Sequence, residues 1–72
     1  MVNKNLLYSK IILKGDNWRI LAQKLNMYTA TLHCKLRGET EFKPSEIVKI
    51  RKLYDLTAQD IVDIFLNDLE AA

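Results

Sequence analysis

Seventy-two residues, 49% apolar and 28% charged, predict one compact module spanning 1–72, too apolar for a disordered chain and too evenly charged for a membrane protein. No uninterrupted apolar run exceeds three residues, far short of a membrane span or the core of an export signal, and lone Cys34 and lone His33 supply neither a disulfide nor a structural zinc site. The net charge of +2 hides an asymmetry: residues 1–54 hold all eleven Lys and Arg against Asp16, Glu39, Glu41 and Glu46, a net +7, whereas residues 55–72 hold five acids and no base. An electropositive binding face, an acidic end and a fold resting on packing alone in a reducing cytoplasm are therefore expected.

Apolar positions recur at spacings of three and four, so the chain reads as all-α. A first helix is expected over about Lys4 to Lys14, with Leu7 and Ile11 on one stripe and Gly15 as its stop. Asp16 or Asn17 opens a second, carrying Leu21, Ala22 and Leu25 and ending near Asn26, which tolerates a left-handed backbone. A third runs from about Thr29 to Arg37, with Leu32 and Leu36 inward and Gly38 as its stop. Phe42, in the loop from Glu39 to Lys43, is expected to plug the core. Pro44 suits the first position of a fourth helix, Glu46 its positive end, and Ile47, Ile50 and Leu53 its stripe. Its bases Lys49, Arg51 and Lys52 read as a solvated face. Thr57 and Asp60 form a capping box for a fifth helix through about Leu69. That helix has a core stripe of Ile61, Ile64 and Phe65 and a second stripe of Val62, Leu66 and Leu69, which could cover the first helix or pair protomers in a homodimer.

The segment NWRILAQKLNMYTATLHCKLRG, from Asn17 to Gly38, joins two short helices through a tight turn at Asn26, with small Ala22 where they would cross. This spacing is that of a helix-turn-helix at about residues 17–38. It resembles the lambda repressor-like (Xre and Cro) family of compact five-helix domains. Leu21-Ala22 fit that family's Leu-Ala pair, Asn26 replaces its turn Gly, Met27 fits the apolar turn position, and Leu32 and Leu36 fit the buried positions of the recognition helix. FKPSEIVKI and LTAQDIVDIFL are similar to the fourth and fifth helices of small temperate-phage regulators. The resemblance implies a regulator of the lysis–lysogeny switch in the cytoplasm of a bacterial host. By position it implies base-reading roles for Thr29, Ala30, Thr31, His33 and Cys34, and phosphate contacts from Asn17, Trp18, Arg37 and Lys43, with Arg19 and Lys35 adding positive potential.

Residues 29–34 hold none of the Arg, Lys, Asn or Gln side chains that dominate reading of base edges. Where the family usually has Gln and Ser, this chain has Trp18 and Tyr28, residues typical of protein interfaces. Either ring could instead lie at the core edge, Tyr28 as a half-buried ring with a wet hydroxyl. Two mechanisms are implied. An antirepressor, as in modulator-of-repression proteins, would dock this face on the DNA-binding domain of a phage repressor, with weak DNA contact alongside; a Cro-like protein would occupy operator DNA through its third helix. The chain has no acid–base pair, nucleophile triad or phosphate loop, so neither enzyme activity nor a cofactor is expected.

Overall fold

The computed structural model describes residues 2–66, and among these the chain is all-α, with five helices and no strand. They are α1 (Lys4–Leu13), α2 (Trp18–Lys24), α3 (Thr29–Leu36), α4 (Pro44–Leu53) and α5 (Ala58–Phe65). Side-chain caps open three of them: Asn3 accepts the Leu6 amide at 3.2 Å, Asn17 that of Ile20 at 2.9 Å, and Thr57 that of Asp60 at 3.0 Å. Asp60 returns the bond by accepting the Thr57 amide at 3.0 Å, completing the expected capping box.

Four helices stop in the same way. Gly15, Asn26, Gly38 and Asp55 each take a left-handed backbone, with φ of +78°, +58°, +83° and +52°. The amide of each following residue reaches back into the last helical turn, as in Met27 to the Ala22 carbonyl (3.0 Å) and Leu56 to the Arg51 carbonyl (3.0 Å). These back-bonds satisfy carbonyls that the helix ends would otherwise leave free. The stops at Gly15, Asn26 and Gly38 were expected; the stop at Asp55 was not. The fifth helix ends at Phe65, before its expected end, and Leu69 of its second stripe lies outside the described residues. Within that stripe Val62 is half-buried and Leu66 is exposed.

Every helix contributes at least one fully buried side chain to a single core: Leu7 and Ile11 from α1, Leu21 from α2, Leu32 from α3, Ile50 from α4 and Ile64 from α5. Phe42 plugs this core from the α3–α4 loop and meets Phe65 edge-on, with ring centroids 5.3 Å apart. Ile47 and Phe65 pack against the core without full burial. The α2 and α3 helices pack on each other, as do α1 and α5, and the Asn3 amide bonds the Ile64 carbonyl at 2.8 Å, fixing the start of the described chain to α5.

Tyr54, buried at the end of α4, donates its hydroxyl to Asp16 Oδ2 at 2.8 Å. Lys24 reaches the same oxygen at 2.7 Å and lies 5.7 Å over the Tyr54 ring. The bonds from Lys24 and Tyr54 hold the Asp16 carboxyl below its ordinary value, and burial, reinforced by Asp16, pushes the Tyr54 hydroxyl up. This network ties the α1–α2 turn to the ends of α2 and α4. Tyr54→Phe is expected to cost about 1.5–3 kcal/mol, the worth of a hydrogen bond to a charged group. Because the folded phenol resists ionisation, its contribution is complete below the unfolded tyrosine's value, about 10, and is lost as pH rises from there through the raised folded value. Thermal melts across that range should therefore show a shallower alkaline decline in Tyr54→Phe than in the parent.

Candidate functional site

The α2–turn–α3 unit presents a surface built by its two helix ends. Because Asn26 and Met27 close the end of α2 through backbone bonds, α3 starts at once, and its first residue is preceded by Tyr28 in extended conformation. The Tyr28 side chain makes no capping bond, and the residue is 84% exposed. The half-buried reading of Tyr28 is thus overturned: the residue stands where the chain leaves the turn, with nothing packed over it. Gln23, Asn26, Met27, Tyr28 and Thr31 line a shallow, open depression here. Thr29, Ala30 and Thr31 are all exposed. The depression's lining holds no Asp, Glu, Lys, Arg or His, and the charged groups lie elsewhere.

Trp18 has a different environment. Its ring stacks on Tyr8 of α1, with centroids 4.8 Å apart and planes at 30°, and meets His33 of α3 edge-on at 6.5 Å. It packs against the core from the outside. The structure thus brings Trp18 and His33 together, while Tyr28 stands with Thr31 in the depression. Trp18 serves as a clasp holding α1, α2 and α3 in register, with His33 as one side of that clasp.

Several cations expected to project freely are engaged internally. Lys35, expected to add positive potential, is instead buried: it pairs with Glu46 at 3.0 Å, donates to the Glu41 carbonyl at 3.1 Å and lies 6.0 Å over the Phe42 ring. Its position, one residue before Leu36 on α3, turns it toward the start of α4. Burial opposes ionisation of Glu46, but the Lys43 amide at 2.8 Å and the Lys35 ammonium outweigh it and hold the carboxyl below its ordinary value. Arg37 is exposed but paired with Glu39, and its Nη2 donates to Cys34 Sγ at 3.6 Å. Cys34 is half-buried. The side-chain oxygen of Asn17 is taken by the Ile20 amide. Arg19 and Lys43 are exposed without an ion-pair partner among the described residues. Among those residues no group of three His, Cys, Asp or Glu is placed to hold a metal, and no helix is long and apolar enough to cross a membrane.

Gln23 and Asn26 were not singled out as site residues from the sequence. The signal was present, because both flank the turn expected at Asn26, and a polar residue beside an exposed aromatic marks an interface rim. In comparisons with protein-family models, curated proteins and solved structures, no match to this chain is found.

Proposed function

We propose that the chain is a helix-turn-helix regulator of the antirepressor type, docking its α2–turn–α3 face on the DNA-binding domain of a phage repressor and removing that repressor from its operators. The observation that carries this reading is Tyr28, a large aromatic left 84% exposed beside an uncharged depression. Aromatic anchors of this kind dominate protein–protein binding energy, since they bury much area while losing little side-chain freedom. The alternative, a Cro-like repressor reading operator DNA through α3, needs cations at its phosphate positions and forked donors on the reading helix. Here, of the two cations at those phosphate positions, Arg37 is held by Glu39 and only Lys43 is without an ion-pair partner among the described residues, Lys35 is buried on Glu46, and residues 29–34 carry no forked donor.

Calorimetric titration with the isolated DNA-binding domain of the repressor encoded in the same genome tests the proposal. Tyr28→Ala is expected to weaken binding by at least about thirtyfold, about 2 kcal/mol, with helicity and melting temperature unchanged and with little dependence on salt. Trp18→Ala is expected to lower the melting temperature instead, because it removes the clasp onto Tyr8 and His33. Parental affinity in Tyr28→Ala would remove the proposed anchor.

A further inference from the structure

Among the described residues, ion pairing leaves more unpaired cations on α4 than on any other helix. Among the described residues, Lys10, Lys14, Lys24, Lys35 and Arg37 pair with Asp60, Asp55, Asp16, Glu46 and Glu39. Lys4, Arg19, Lys43, Lys49, Arg51 and Lys52 have no such partner there and are exposed, and the last three lie together on α4. The acids that flank Lys49, Arg51 and Lys52 in sequence are engaged elsewhere, Glu46 by Lys35 and the Lys43 amide and Asp55 by Lys14 at 3.1 Å. Lys49 and Lys52 are three residues apart and so share one side of the helix, away from buried Ile50. Arg51 borders them, its Nε donating to the Leu56 carbonyl at 3.2 Å. This is the opposite of the α2–α3 depression, which is uncharged and carries an aromatic.

We propose that the outer face of α4, through Lys49 and Lys52 with Arg51 beside them, binds the phosphodiester backbone of double-stranded DNA without reading its sequence. Cations along a helix gain affinity by displacing condensed counterions from a regular polyanion, which needs no pocket and no anchor side chain. An acidic protein partner would call for an aromatic or apolar anchor among the cations, and the face offers only Val48, 51% exposed. A membrane surface would call for Trp, Phe or Leu to insert beside the lysines, and the exposed side of α4 has none. The proposal does not rest on the antirepressor reading. The α4 cations share no residue with the Tyr28 depression, so one chain could hold a protein by one face and a DNA backbone by the other. None of the phosphate contacts implied by the family resemblance belongs to this face.

The test is fluorescence anisotropy of the full chain with two labelled duplexes of unrelated sequence, over a series of salt concentrations. The expected result is equal affinity for both duplexes and, in the Lys49→Gln plus Lys52→Gln variant, binding weakened about tenfold or more at low salt. The slope of log affinity against log salt should fall by about two units in that variant, close to one for each phosphate no longer neutralised. Circular dichroism should be unchanged, and Arg37→Gln, already neutralised by Glu39 in the parent, should retain the parental slope. The assignment is overturned if the parent fails to bind either duplex at low salt, or if the double variant keeps the parental slope. It is equally overturned if poly-glutamate or vesicles of anionic phospholipid bind the parent as tightly as the duplexes do.

Discussion

Leu32→Ala is expected to cost about 2–5 kcal/mol and to leave the chain partly unfolded at ordinary temperature. Leu32 is fully buried at the centre of the one core, where α3 meets Leu21 and Ala22 of α2 and where α1, α4 and α5 also contribute. Truncation removes three carbons' worth of burial and leaves a cavity that the surrounding helices, of which α1, α2 and α4 end in a tight backbone motif, can close only in part. A domain of this size has about 5–15 kcal/mol of stability in all, so the loss is a large share. Denaturant unfolding checks it. A variant melting within a degree or two of the parent would show that α3 is not seated on this core.

Glu46→Ala is expected to cost about 3 kcal/mol, more than an exposed ion pair could account for. Glu46 performs two tasks at once: it accepts the Lys43 amide at the start of α4, and it partners a Lys35 side chain that is only 9% exposed. Removing it leaves a buried ammonium short of its counter-charge and a helix start without its acceptor. The double change Lys35→Met plus Glu46→Gln should recover most of that loss, because Gln still accepts the amide and Met packs over Phe42. Folding stability in urea distinguishes the two, and a single variant as stable as the double one would contradict the buried-pair account. The pH dependence follows with a definite sign. Glu46 has its folded value lowered, so its contribution is complete above the unfolded carboxyl's value and is lost as pH falls below about 4. Glu46→Gln should therefore flatten the acid limb of the stability profile.

Helix ends were legible in the sequence wherever the residue type itself carries the conformation. Gly15, Gly38 and Asn26 accept a left-handed backbone, Pro44 cannot continue a preceding helix, and Thr57 with Asp60 can exchange capping bonds only at a helix start. Asp55 adopts the same left-handed conformation as the glycines, but Asp occurs in many contexts, so its local signal is weak. The misreading of Lys35 has a different origin. Its neighbours in sequence suggest a solvated lysine, and what buries it is Glu46 eleven residues on and Phe42 in a loop, a juxtaposition that exists only once α3 and α4 are packed. Trp18 is of the same kind, since its stacking partner Tyr8 lies on another helix. The exposure of Tyr28 was readable as one of two alternatives, and it was decided by the turn geometry at Asn26 and Met27. Within the candidate site, the sequence pointed to the α2–turn–α3 face, while the division between a folding clasp at Trp18 and an exposed ring at Tyr28 required the tertiary structure.

Release of a repressor from DNA tests the central claim most directly. The repressor encoded in the same genome is bound to its own labelled operator, and the amount of bound complex is followed as this chain is added. The account predicts progressive release of free operator by the parent, release at near-parental concentrations by Lys49→Gln plus Lys52→Gln, and at least about thirtyfold more protein needed for Tyr28→Ala. Retention of the repressor at all concentrations, or replacement of its complex by a sequence-specific complex of this chain alone, would contradict the account.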